Sequence, residues 1–142
     1  MYFGIDHHQP VLLLGASGML GRCWQKLLEA EGIPFYAPSR HLLDLNDSYS
    51  IEKALRRSFS WVINCAAYTD VDLAETESSA ALKMNVEVVA ELARWRHLRG
   101  IGLLHYSTDY VFSGDAEEPY PVWHPKSPIN FYGCTKAKAE DV

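Results

Sequence analysis

Tyr132 and Lys136 stand four residues apart in Asn130-Phe131-Tyr132-Gly133-Cys134-Thr135-Lys136. On a helix that spacing puts a phenol and an ammonium on one face. A tyrosine ordinarily titrates near pH ~10 and is a poor acid–base catalyst at neutrality, but an ammonium beside it favours the phenolate and lowers that value. Tyr132 can then give a proton to a carbonyl oxygen while a hydride reaches the carbon. Thr108, with one donor and two acceptor sites, can hold that oxygen in place. Taken singly, these signals are weak. A tyrosine can cap or pack, a lysine can lie on a solvated helix face, and Thr108 can simply end a strand. The pattern gains weight from the N-terminal part of the chain.

Val11-Leu12-Leu13-Leu14 is an unbroken apolar run, the mark of a parallel strand covered on both faces. Gly15, Gly18 and Gly21 come next, at every third position. Gly15 turns the chain sharply off the strand, Gly18 lets backbone N–H groups approach a pyrophosphate, and Gly21 lets the next helix pack closely. The helix N-terminus offers partial positive charge to the phosphates. Strand, glycine turn and helix in this order predict a dinucleotide site. About twenty residues further on, a carboxylate would favour NAD and an arginine would pair with the 2′-phosphate of NADP. The chain reads Ser39-Arg40-His41 there, so Arg40 favours NADP(H) over NAD(H). Asp44 lies beside the adenine or serves as a turn residue.

The elements that must position these groups alternate. Strands are expected at 11–14, 33–37, 61–64 and from 103–106 into 107–112, with helices at 19–31, 48–59 and 79–99 and a last helix starting near Asn130. Met19, Leu20, Cys23, Trp24, Leu27 and Leu28 form the expected inner face of the first helix. Leu82, Val86, Val89 and Ala93, with Leu92 beside them, form that of the third. Asn85 lies on that third helix, where a core-facing polar side chain needs a partner. Asn46 or Asp47 caps the second helix. Cys65-Ala66-Ala67 is small enough for a cofactor to cross the end of its strand. Residues 113–130 are proline-rich and read as a long loop. Such alternation implies an α/β fold, a Rossmann-like doubly wound parallel sheet with ligands at the carboxyl ends of its strands. Residues 1–10 are a lead-in, in which His7-His8 is a solvated pair, and 11–142 form one incomplete NAD(P)-binding domain.

Composition narrows the classes. The 142 residues are 48% hydrophobic and 22% charged, with a net charge of −5 spread along the chain. Neither nucleic acid nor an anionic membrane has an electrostatic footprint here. No apolar run approaches the ~18 residues of a membrane span. Cys23, Cys65 and Cys134 are far apart and set in apolar segments. They read as small buried hydrophobes of a reducing, cytoplasmic protein. The first nine residues lack the features of a signal peptide.

The stretches GASGMLG (15–21), INCAAYTDVDLAE (63–75), MNVEVVAELA (84–93), HYSTDYVFSG (105–114) and PINFYGCTKAKAE (128–140) together resemble the N-terminal half of an extended short-chain dehydrogenase/reductase. Within that superfamily the chain is most similar to the dTDP-4-dehydrorhamnose reductases. The resemblance implies a catalytic trio of Thr108, Tyr132 and Lys136, with Tyr132 the proton donor and Lys136 bound to the nicotinamide ribose. Asn85 matches an asparagine that supports a proton-relay water. Gly15, Ser17, Gly18, Met19 and Leu20 would line the pyrophosphate site, and Ala66, Ala67 and Tyr68 would border the ribose and nicotinamide side. The implied reaction is reduction of the 4-keto group of dTDP-6-deoxy-L-lyxo-4-hexulose to dTDP-L-rhamnose.

Length is the departure. The family continues past the Tyr–Lys helix with later strands, a sugar-nucleotide region and the acidic residues that hold Mg2+ in some members. The expectation is therefore a fragment with no metal site and little activity alone, and a possible homodimer only for a full-length chain. Two alternatives stay open: an NADP-binding regulatory subunit similar to that of methionine adenosyltransferase, and another nucleotide-sugar reductase or epimerase.

Overall fold

The computed structural model describes residues 9–142, so most of the lead-in, with His7-His8, lies outside the described residues. The chain falls into two compact units, one made of the residues up to Ala66 with Glu91–Tyr106, the other of Ala67–Ala90 with Ser107–Val142.

The first unit is built on four parallel strands, β1 (Val11–Leu14), β2 (Phe35–Tyr36), β3 (Trp61–Asn64) and β4 (Gly102–His105), in the order β2-β1-β3-β4. All of β1 is buried, as its apolar run requires. β1 and β3 run in register from Val11↔Trp61 to Leu14↔Asn64, so their carboxyl ends finish level. The chain leaves β1 toward β2 and returns to β3 on the other side. That reversal opens a crevice at the carboxyl ends of β1 and β3. Right-handed crossovers put α1 (Met19–Ala30) on one face and α2 (Ser48–Leu55) on the other. Val11, Leu13, Leu28 and Ile63 form the centre of the core, with Trp24, Phe35 and Leu104 packed round them.

The second unit carries α3 (Ser78–Leu82), a π-helical turn (Lys83–Glu87), the first turn of α4 (Val88–Arg99), short 3-10 turns at Leu73–Glu75 and Asp109–Val111, and α5 (Phe131–Ala139). Asn130 caps α5, its Oδ1 accepting from the Gly133 N–H at 2.7 Å. Gly133 is required there, because a Cβ at that position would stand 2.3 Å from the Tyr110 carbonyl oxygen.

Several expectations are corrected. The buried face of α1 is Gly21 and Leu28, flanked by half-buried Trp24 and Gln25, whereas Met19 (80% exposed), Leu20, Cys23 and Leu27 are exposed. The helix approaches the sheet through its smallest residue, and that turns the apolar stripe outward. Cys23 is thus not buried, and Cys65 and Cys134 are only half-buried. β2 is shorter than 33–37, because Pro34 has no N–H for the ladder. α2 stops at Leu55 rather than Phe59, and Asp47 caps it, accepting from the Tyr49 N–H at 3.0 Å. β4 ends at His105, and Asp109–Val111 form a 3-10 turn rather than a continuation of the strand. In the third helical segment the fully buried positions are Ala81, Asn85, Val88, Val89 and Leu92, while Leu82, Val86 and Ala93 are half-buried. Hydropathy passes over a small alanine and a polar asparagine as core residues.

Candidate functional site

In the first unit the glycine turn sits at the switch point of the sheet. Gly15 has φ 70°, and a Cβ on it would lie 2.6 Å from the Ala66 nitrogen and 2.7 Å from the Cys65 carbonyl carbon. The two backbones touch, and any side chain would wedge them apart. Gly21 is equally confined, since its Cβ would lie 2.2 Å from the Gly15 carbonyl oxygen. Gly18 is the N-cap of α1 and no side chain makes a capping hydrogen bond to that helix. The first-turn amides of α1, from Met19 onward, therefore lack a side-chain partner where an anion would sit. Ser17, Gly18, Met19 and Leu20 are all exposed at this end. An open helix N-terminus beside a cradle that a Cβ would fill is the arrangement a pyrophosphate needs.

Two residues support this turn that sequence reasoning missed. Gln25 Nε2 donates to the Ala16 carbonyl at 2.8 Å and pins the turn to its helix. Asn64, 1% exposed, accepts from the Ala66 N–H at 3.1 Å while its Nδ2 meets His105 Nδ1 at 3.1 Å. A polar residue ending a buried strand was the available signal. Arg40 and Asp44 are exposed, and Asp44 acts as a turn residue, its carboxylate accepting from both the backbone and side-chain N–H groups of Asn46.

The second unit brings Thr108, Tyr132, Lys136, Asn85 and Tyr68 onto neighbouring elements. Tyr132 and Lys136 lie one turn apart on α5, with Tyr132 half-buried and Lys136 only 2% exposed. Thr108 caps the 3-10 turn, accepting from the Tyr110 N–H at 3.2 Å and donating to the Asp109 carboxylate at 3.1 Å. Tyr110 packs edge-on against the Tyr132 ring at 5.7 Å.

The electrostatics differ from the simple ammonium–phenol picture. Burial raises the Tyr132 phenol above its ordinary value; a hydrogen bond from the Thr108 side chain pulls it back, and Asp109 and Tyr110 add to the rise. Burial also lowers the Lys136 ammonium, opposed by Glu140. Tyr132 therefore holds its proton more firmly than a free tyrosine does.

Asn85 is completely buried inside the π-helical turn. Its Oδ1 accepts from the Tyr68 N–H at 2.8 Å, and its Nδ2 donates to the Tyr68 carbonyl at 3.0 Å and to Thr135 Oγ1 at 3.0 Å. Both amide hydrogens are engaged, so Asn85 acts here as a tie between the Tyr68 backbone and α5. The Tyr68 phenol donates to Glu77 at 2.8 Å and is pushed up to about 12 by loss of solvent and by that carboxylate. Ala67 is half-buried at the start of the same segment.

A dTDP-4-dehydrorhamnose reductase of Streptomyces griseus is 42% identical over 130 residues, covering 91% of this chain and 43% of that protein. A dTDP-4-keto-6-deoxy-D-glucose reductase of Streptomyces niveus is 43% identical over 130 residues, covering 91% and 45%. The crystal structure of dTDP-4-dehydrorhamnose reductase from Bacillus anthracis in complex with NADP superimposes with a TM-score of 0.88 at 36% identity, covering 94% of this chain and 48% of that one. This chain thus spans slightly less than half the length of the relatives it matches. Residues 9–142 match the family described as RmlD substrate binding domain, and the chain belongs to that family.

Proposed function

We propose that this chain is the cofactor-binding and proton-donating portion of an NADPH-dependent nucleotide-sugar reductase. Its reaction is reduction of the 4-keto group of dTDP-6-deoxy-L-lyxo-4-hexulose to dTDP-L-rhamnose. The observation that carries this reading is Tyr132 set one helical turn from the buried Lys136 on α5.

The residues present fit the cofactor. The close approach of Gly15 to Ala66 leaves a cradle without side chains, and the uncapped start of α1 supplies amides for the pyrophosphate. Arg40 is the cation offered to a 2′-phosphate, and the Bacillus anthracis relative is in complex with NADP. Ala66, Ala67 and Tyr68 border the ribose. When bound, NADPH supplies the hydride. Thr108 turns its hydroxyl from Asp109 to hold the carbonyl oxygen. Tyr132 releases its proton to that oxygen as charge develops, and the phenolate left behind is stabilised by the Lys136 ammonium, which also holds the nicotinamide ribose. Asn85 positions α5 and the Tyr68 segment. The reading calls for no metal, and it is compatible with a cytoplasmic protein and with a homodimer of a full-length chain.

Two measurements test it. The 142-residue protein, titrated with NADPH and NADH by quenching of intrinsic fluorescence, binds NADPH more tightly by at least about tenfold, the effect of one lost charge pair. Fused to the second half of the Streptomyces griseus relative, it turns over the 4-keto sugar, while the unfused chain has little activity. In the fusion, Tyr132→Phe removes turnover and leaves NADPH affinity within about twofold. Normal turnover by the Tyr132→Phe fusion would overturn the reading.

A further inference from the structure

Glu140 caps the end of α5 one turn beyond Lys136, and two other segments of the second unit converge on it. The Ser107 hydroxyl, one residue before Thr108, donates to Glu140 Oε1. The Lys126 ammonium stands 3.6 Å from Glu140 Oε2. Lys126 also donates to the Ala137 carbonyl at 2.9 Å and to the Asp141 carboxylate. The position is unusual for an acid. A carboxylate at a helix C-terminus opposes the macrodipole, and lysine followed four residues later by glutamate is the weaker order for a helical ion pair. Stability of α5 alone would not put a glutamate there.

We propose that Glu140 is a positioning residue for the Tyr132–Lys136 pair: it fastens the segment carrying Thr108 to α5 and keeps a negative charge within reach of Lys136. The tie fixes where Thr108 stands relative to Tyr132, because Thr108 follows Ser107 directly and Ser107 is bonded to the end of the helix that carries Tyr132. Glu140 stands one helical turn from Lys136, its N–H donating to the Lys136 carbonyl at 3.3 Å, and its charge opposes the fall that burial imposes on the Lys136 ammonium. Lys126 completes the arrangement. It takes up the α5 carbonyl end and the Asp141 charge, so Glu140 is held between Ser107 and one cation. This inference rests on the roles proposed for Tyr132 and Lys136.

The test uses the full 142-residue protein labelled with lysine carrying 13C at Cε, whose shift tracks ammonium titration. The Lys136 resonance is assigned by its loss in Lys136→Arg. Glu140→Gln keeps the shape and the acceptor for Ser107 but not the charge, and it lowers the Lys136 midpoint by at least about half a pH unit. Glu140→Asp keeps the charge and restores most of that shift. Ser107→Ala leaves the midpoint in place but speeds amide exchange at residues 107–110 by about tenfold, the loss of one hydrogen bond's worth of protection. A Lys136 midpoint unmoved in Glu140→Gln, or as low in Glu140→Asp as in Glu140→Gln, overturns the charge role. Unchanged exchange in Ser107→Ala overturns the tie. If Glu140→Gln does not fold, 1 M salt on the wild-type protein screens the same pair, and a midpoint that does not fall then overturns the charge role. Full NADPH affinity in Lys136→Ala would instead break the functional reading, and the Lys136 titration decides the inference separately.

Discussion

Asn85 and Thr135 are both completely buried, and the Asn85 amide donates to the Thr135 hydroxyl across 3.0 Å. Thr135 in turn donates to the Tyr132 carbonyl at 2.7 Å, so the bonds run from the Tyr68 backbone into the turn that bears Tyr132. Asn85→Ala leaves the Tyr68 N–H and carbonyl and the Thr135 hydroxyl short of partners. The expected loss is about 1–3 kcal/mol in urea unfolding, the range for a stranded buried polar group. Asn85→Asp fares no better, because a carboxylate cannot donate to the Tyr68 carbonyl.

The glycine turn separates folding from binding. Gly15→Ala combines a positive φ with a contact at 2.6 Å, and it should unfold the first unit or destabilise it by at least about 2 kcal/mol. Gly18→Ala meets only the Gly15 carbonyl at 3.3 Å, from an ordinary extended conformation. Its thermal midpoint should stay within a few degrees of wild type while NADPH affinity falls at least about tenfold, because the added methyl stands where amides must approach the phosphate. Calorimetry and cofactor titration on the two variants separate the effects.

Tyr68 predicts an alkaline signature. Its phenol is pushed up to about 12 in the folded chain against about 10 for a free tyrosine. Between those values the folded state holds a proton that the unfolded state has lost, so stability falls as pH rises through that window and is fully present below pH ~10. Tyr68→Phe removes the group. The unfolding free energy of wild type minus that of Tyr68→Phe should be flat from pH 7 to 9 and decline above pH ~10. A difference that stays level to pH 11 contradicts the assignment.

Asn130 holds the start of the helix that bears Tyr132, accepting from the Gly133 N–H at 2.7 Å. Asn130→Ala should cost about 1 kcal/mol, the usual worth of an N-cap, whereas Asn130→Asp or Asn130→Ser retains most of it. Hydrogen exchange should show fraying confined to the first turn of α5.

Much of the fold is legible in the sequence because parallel strands declare themselves as apolar runs. Val11–Leu14 and Trp61–Asn64 stand where hydropathy puts them, and the glycine spacing locates both the turn and α1. The packed face of α1 is not legible, because Gly21 and Gln25 do the packing and neither is apolar. The spacing of Tyr132 and Lys136 does put them one turn apart on a helix, but the direction of the Tyr132 shift is not legible, since it depends on how far α5 is withdrawn from water. Asn64 shows in a linear reading only as a polar end to a buried strand, and Glu140 does not show at all. Their partners, His105 and Ser107, lie 41 and 33 residues away, and only the fold brings them together.

The π-helical turn at Lys83–Glu87 gives this segment one point at which a change in length can be absorbed. Such a turn accommodates one residue more than the α-helical winding on either side. Excising a single residue there would let the winding close to an ordinary α-helix with the flanking turns nearly in phase, so Ala81 and Val88 would stay in the interior, whereas an excision in the α-helical part would swing everything upstream by about 100° round the axis. Single-residue length changes should therefore be tolerated at the π-helical turn and in the proline-rich span 113–130, and be absent from the α-helical stretches on either side of that turn.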